Sequence, residues 1–260
     1  MRIHTRPENF RLALCLLIFC CLLPARCSGQ AIPFRAGEMF RYQIKWNFWS
    51  GGTLTLQTSS DVYLEEERAF HLEASTATEG AFKRFYPFRA RVESFVSQQD
   101  FLPLRYQYSS WMPRETFLET TDYPRGKSEG VSRREKYKNS AQTVKDETFD
   151  KPPFFQDPLS IIFYLRTQNF AVGDQIEVPI NAGGKNYKIT VKVLRKTRIR
   201  VLNRVWDAFI LEPGMTLQGV PFKMGSLWLW LSADEQKIPL YLSARAPLGV
   251  VSCTLVEMKR

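Results

Sequence analysis

Apolar and polar residues alternate one by one through several segments of this chain, and that period of two dictates extended structure. Phe40, Tyr42, Ile44, Trp46 and Phe48 alternate with Arg41, Gln43, Lys45 and Asn47. Successive side chains of a strand point to opposite faces, so one face of this segment is buried and the other wet. Ser50-Gly51-Gly52 carries a turn signal, after which Leu54 and Leu56 open a second strand. Phe70, Leu72 and Ala74 alternate with His71, Glu73 and Ser75. Ile189, Val191 and Val193 alternate with Thr190 and Lys192 after an Asn181-Ala182-Gly183-Gly184 turn, and Ile199 and Val201 extend the theme. Short alternating runs between turn signals predict a large antiparallel sheet with one solvated face.

One segment departs from the pattern. Asp157 is suited to cap a helix and Pro158 to occupy its first position. Leu159, Ile162, Phe163 and Arg166 then share a face, with Ile161 and Leu165 beside them, so a buried apolar helix is expected around residues 157–168. In Leu227-Trp228-Leu229-Trp230-Leu231 the leucines point one way and the tryptophans the other. Both faces of that strand need cover, and the tryptophan face either packs in the core or lines an apolar cavity.

The stretch from Phe95 to Tyr106 reads strand, Asp100 turn, Pro103-Leu104 and strand. The stretch from Trp230 to Tyr241 repeats this order with Asp234 and Pro239-Leu240. Proline is tolerated at the first residue of a strand, where it need not donate. The repeat fits two similar halves, about 32–121 and 172–257, joined by a charged stretch and the helix. It also fits ordinary hairpin chemistry met twice.

The N-terminus sets the compartment. Arg2, Arg6 and Arg11 precede an apolar run from Leu12 to Leu23, and small residues follow. This is the composition of a secretory signal peptide, expected over residues 1–27, and the run is short of the ~20 apolar residues of a membrane span. Export to the periplasm is expected, with a single β-rich domain over 28–260. A lipid anchor on Cys27 is disfavoured by Arg26, because lipoprotein processing wants a small residue there. Removing the leader leaves Cys253 of the five cysteines, hence no internal disulfide. Of the net charge of +10, +3 sits in residues 1–27, leaving +7 on the remainder. Its cations are dispersed and interleaved with acids between Arg125 and Lys151, unlike the coherent basic stripe of a nucleic-acid binder.

Several segments resemble a bacterial envelope family catalogued as domain of unknown function 3108. They are Ile32 to Glu38 running into Tyr42-Gln43-Ile44-Lys45-Trp46, Gly51-Gly52-Thr53-Leu54, Phe85 to Ser94, Gln156 to Leu159, Val172-Gly173-Asp174 and Leu227 to Leu231. The resemblance spans nearly all of 32–257 and implies export in a bacterium with an outer membrane. It carries no activity and no site residues. The strand–Asp–Pro-Leu hairpin is also similar to one in the lipoprotein carriers LolA and LolB and in RseB. That likeness implies a strongly curved, half-open barrel wrapped around helices and holding acyl chains.

Catalytic chemistry finds little footing. Once the leader is gone His71 is the one histidine, and no Gly-x-Ser-x-Gly elbow is present. His71 and Cys253 lack metal-ligand spacing, and Cys253, among Val250, Val251, Leu255 and Val256, reads as a buried structural thiol. Gly183-Gly184-Lys185 lacks the other residues of a phosphate loop. Glu73, Glu93, Asp100 and Asp157 are left as carboxylates that a sheet could pair in a cleft, an arrangement that would mark an enzyme. Aromatics beside cations point elsewhere. Trp46, Phe82, Arg84, Phe85, Tyr86, Phe163, Trp228 and Trp230 are the candidate ligand-binding residues, and Gly80 to Tyr86 the candidate contact loop. The expected fold is mainly β, a single strongly curved antiparallel sheet forming a LolA-like half-open barrel around one helix. The expected role is a non-enzymatic carrier or sensor of an amphipathic or lipid-like molecule. It needs no cofactor, metal or nucleic acid, and includes peripheral membrane contact or an envelope protein partner. A docking module for protein or polysaccharide is the alternative, and a carboxylate enzyme the third reading.

Overall fold

The computed structural model describes residues 32–139, 141–217, 220–222, 226–246 and 249–260. The leader expected over 1–27, with Cys27, lies outside the described residues. The first run of strands is β1 (Met39–Trp46), β2 (Trp49–Leu64), β3 (Glu67–Thr78), β4 (Arg89–Ser97), β5 (Pro103–Met112), β6 (Glu115–Asp122), β7 (Glu129–Lys138) and β8 (Ala141–Asp150), with the short helix α1 (Gly80–Phe85) between β3 and β4. Helix α2 (Ser160–Thr167) leads to β9 (Gln175–Ala182), β10 (Lys185–Val201), β11 (Arg204–Leu217), β12 (Val220–Phe222), β13 (Leu227–Ser232), β14 (Pro239–Ala246) and β15 (Gly249–Lys259).

All fifteen strands belong to one antiparallel sheet, in the order β8-β7-β6-β5-β4-β3-β2-β1-β15-β14-β13-β11-β10-β9, with β12 on β11. Two meanders are thus joined where the first strand pairs the last, Ile44 opposite Cys253. The alternation places the core as expected: Phe40, Tyr42, Leu72, Ala74, Ile189, Val191 and Val193 are buried. The sheet is not closed by hydrogen-bonded strands, yet its two ends touch. Tyr123 donates to Asn181 Oδ1 at 3.2 Å and Asn186 Nδ2 to the Asp150 carbonyl at 2.7 Å. Gln156 adds a parallel bridge to Ile180, which satisfies backbone groups of edge strand β9.

The first turn is displaced from its expected place. Trp46 faces Trp49, so the chain reverses at Asn47-Phe48, with Asn47 in the left-handed region at φ 52°, and Ser50-Gly51-Gly52 lies inside β2. Phe48 is therefore a turn residue, 79% exposed, rather than the end of a strand. The glycine serves close approach instead. A Cβ on Gly52 would lie 2.1 Å from the Ala77 carbonyl oxygen of β3.

The same local devices recur in both meanders. Gly37 N–H donates to the Thr58 carbonyl and Thr58 N–H to the Glu38 carbonyl; Gly173, Val193 and Asp174 repeat both bonds. The β4–β5 hairpin is closed by Ser97 N–H on the Leu102 carbonyl and the β13–β14 hairpin by Ser232 N–H on the Ile238 carbonyl, each at 2.9 Å. Phe101 and Lys237, both two residues before the proline, share positive φ, and both hairpins shift register just before the serine.

Candidate functional site: an apolar cleft beside the helix

Helix α2 is placed by its own sequence. Asp157 Oδ1 accepts from the N–H groups of Leu159 and Ser160, each at 2.8 Å, while Ser160 Oγ accepts from Asp157 N–H at 2.8 Å. The regular helix begins at Ser160 because Pro158-Leu159 form a tighter turn beneath this reciprocal cap. Asp157 is fully buried, and Ser94 donates to its second oxygen. Burial raises the carboxyl above the usual carboxylate range, against the lowering effect of those hydrogen bonds.

The far end of the helix is held by charge. Arg166 and Glu38 are both buried, with guanidinium–carboxylate contacts of 2.6 and 3.1 Å. The guanidinium also sits 5.3 to 5.7 Å from the ring centres of Phe34, Phe40 and Phe163, and Arg260 reaches Glu38 at 2.9 Å. Burying this pair satisfies its polar atoms while pinning helix to β1.

Between these two anchors the helix divides its apolar side chains. Leu159 and Phe163 join one cluster with Phe34, Phe40 and Leu240. Ile161 and Leu165 join another with Val178, Ile180, Val191, Leu211, Leu229 and Leu231, and Ile162 touches both. The second cluster does not fill its space. A cleft of about 300 Å³ remains between the helix and β9, β10, β11, β13 and β14. Its helix wall is Ile161, Ile162 and Leu165; its sheet wall includes Ile189, Leu211, Met215, Leu227 and Leu229. Among the described residues every lining residue is apolar, and none offers an acid, base or nucleophile. Its volume is at the lower end of the roughly 300–1,000 Å³ that small-molecule sites occupy.

None of the eight candidate ligand-binding residues lines this cleft. Phe163 is buried in the first cluster, edge-on to Phe34 at 5.3 Å. Trp228 and Trp230 point to the other face of β13 from Leu227 and Leu229. There Trp228 lies under the Arg245 guanidinium at 5.9 Å and Trp230 meets Tyr241 at 4.9 Å. The tryptophan face meets protein, and the leucines are the cavity wall. The alternation in β13 carried that signal, read for the larger rings instead of the smaller side chains. The other five residues come together at one end of the sheet. Trp46 and Phe82 stack edge-on at 5.7 Å, Arg84 is exposed, and Phe85 and Tyr86 are 86% and 52% exposed.

The four carboxylates separate by role. Glu73 and Glu93 face each other across β3 and β4 on the solvent side of the sheet. Arg91 donates to both, at 3.0 and 2.9 Å, and His71 Nε2 lies 2.9 Å from Glu93 with its ring stacked on Phe95. His71, Glu73 and Glu93 present ligand atoms within 4.8 Å of one another, but the Arg91 guanidinium takes the cation's place. Asp100 pairs with Arg125 and accepts from Leu102 N–H, and Asp157 is the helix cap. Cys253 is buried, which pushes its thiol up to about 11 and leaves it unreactive near neutrality.

The model of a family described as protein of unknown function, DUF3108, matches residues 41–256. The chain belongs to the DUF3108 family. In fold this DUF3108 protein is similar to the β-barrel-like protein of domain of unknown function DUF1849 from Brucella abortus, at 9% identity and a TM-score of 0.53. The match covers 86% of this chain and 97% of that one. Two further structures match with lower TM-scores. A protein described as exported, with a YmcC-like fold, from Bacteroides fragilis has 10% identity, a TM-score of 0.35 and coverage of 88% and 98%. One described as a lipoprotein, from Parabacteroides distasonis, has 8% identity, a TM-score of 0.32 and coverage of 86% and 96%. A comparison with curated proteins finds no match.

Proposed function

We propose that this DUF3108 protein is an exported, non-enzymatic carrier or sensor whose cleft takes the apolar tail of a lipid-like or amphipathic molecule. The observation that carries the reading is the 300 Å³ cleft, lined among the described residues by apolar side chains alone, beside a helix anchored at both ends. Each methylene moved from water into such a space contributes about 0.8 kcal/mol, so a chain of several carbons binds without any polar contact. Exposed Lys185, which pairs with the lining residue Ala182 across the β9–β10 turn, borders the same region and suits an anionic head. The contact between the two ends of the sheet supports a half-open barrel of the LolA kind, and the N-terminal leader composition supports a periplasmic location.

The test is native mass spectrometry on protein purified from the periplasm, followed by solvent extraction and titration with the fluorescent apolar probe N-phenylnaphthylamine. A stoichiometric amphiphile, or saturable probe uptake that Ala182→Phe abolishes by filling the cleft, is the expected result. A clean apo mass together with no probe uptake would sink the reading.

A further inference from the structure

Antiparallel pairing gathers alternate connections at the two ends of the sheet. One end collects the Asn47-Phe48 turn, α1, the β5–β6 turn at Pro113-Arg114, the Gly183-Gly184 turn and the start of β13. Four aromatic residues stand out there: Phe48 is 79% exposed, Trp49 65%, Phe85 86% and Tyr86 52%. Side chains of this size leave water at considerable gain, and exposing four on adjacent turns is costly for a surface that meets only solvent.

The turns form one platform. Glu79 N–H donates to the Gly51 carbonyl at 3.2 Å and Thr53 Oγ1 to Glu79 at 2.8 Å, which ties α1 to β2. Asn47 exchanges two bonds with Val250, of 2.6 and 2.8 Å, and Tyr86 donates to Met112 Sδ at 3.7 Å. Exposed Lys45, Lys83, Arg84 and Arg89 stand among the aromatics, and among the described residues none of these four has an ion-pair partner. Of the acids at this end, Glu115 is paired with Lys136 at 3.0 Å, and Glu79, which accepts from Thr53, leaves one negative charge against these four cations.

We propose that this aromatic and cationic end is a docking surface for an anionic lipid bilayer. Aromatic rings settle at the headgroup level while lysine and arginine meet anionic headgroups, so both halves of the chemistry match one partner. Position agrees with composition, because Ala182, Met215 and Leu227, the outermost lining residues of the cleft, lie toward this same end of their strands. Docking in this way turns the cleft toward the bilayer from which an acyl chain comes. The inference rests on the exposed platform and not on occupancy of the cleft, so an empty cleft leaves it standing.

The experiment is flotation with vesicles of phosphatidylethanolamine and phosphatidylglycerol against vesicles of phosphatidylcholine alone, at low and physiological salt. Binding to the anionic vesicles, weakened by salt and feeble on phosphatidylcholine, is expected. Each neutralised cation costs about five-fold in affinity, so the double charge reversal Lys83→Glu/Arg84→Glu should weaken binding by roughly 25-fold or more. Trp49→Ser/Phe85→Ser should weaken it at unchanged charge. Arg198→Glu/Arg200→Glu, exposed on β10 at the opposite end, carries the same change of net charge and should bind nearly as the parent does. Thermal melts confirm that these surface variants fold. No binding to anionic vesicles, or equal losses at both ends, overturns the proposal; in the second case attraction is general to a basic protein.

Discussion

Two buried ionisable side chains, Asp157 and Arg166, hold the helix at its two ends, and they respond to different perturbations. Asp157 titrates higher in the folded protein than in the unfolded chain, where its ordinary value is 3.8. A raised folded value means that the native state holds the proton more tightly. The contribution to stability is full below about pH 3.8 and is lost as pH rises through the folded value. Asp157→Asn keeps an oxygen for Leu159 and Ser160 and removes the buried charge. It should flatten the decline in stability as pH rises above about 3.8, whereas Asp157→Ala should cost about 1–3 kcal/mol throughout. Urea denaturation at a series of pH values measures both. A parent protein whose stability rises above that pH just as the Asn variant's does would show that another group governs it.

Arg166→Met leaves Glu38 buried with Arg260 as its remaining cation. Breaking a buried pair costs about 3–5 kcal/mol, and the presence of Arg260 puts the expected loss near the lower figure. The double variant Glu38→Leu/Arg166→Met should recover much of it, because no charge is then left in the core. Equilibrium denaturation of the two variants measures the difference, and an equal loss in both would assign the effect to packing alone.

At the scale of elements, most strands follow the alternation of their sequence, bulges apart, and the turns their local chemistry, with one instructive departure. Gly51-Gly52 resembles a hairpin turn in sequence, but Gly52 is required inside β2 because β3 passes within 2.1 Å of where a Cβ would stand. Gly52→Ala should therefore destabilise the protein by about 1–3 kcal/mol through backbone displacement. Gly37→Ala meets no neighbour within 4 Å and suffers only from its φ of +80°. Comparing their thermal midpoints tests this, and equal midpoints would refute crowding as the cause. Glycine for conformation and glycine for close approach look alike in sequence. The helix was legible from Asp157, Pro158 and its apolar face, because cap and periodicity are local. Its partner Glu38, 128 residues away, was not.

On the scale of the molecule, the ends of a fourteen-strand order, with β12 set beside β11, meet through side chains instead of a ladder. Tyr123→Phe removes a buried bond across that seam and should cost about 0.5–1.5 kcal/mol, leaving the β-sheet circular dichroism unchanged. Amide exchange in β9 should accelerate relative to β1, and equal exchange in the two strands would show that the seam does not hold the edge.

Composition and period by themselves determined the β class, the buried face of most strands and the buried helix α2, because each depends on residues near one another in the chain; the aromatic, cationic stretch from Gly80 to Tyr86, expected as a loop, instead forms helix α1. Only the tertiary structure decided where the cavity lies. Its walls come from five strands and a helix whose order follows from the pairing of β1 with β15, and no local pattern records that pairing. It also decided that Glu73 and Glu93 are bridged by Arg91, and that leucines rather than tryptophans face the cleft. A sheet brings distant residues into contact through register, and register is a property of the assembled fold.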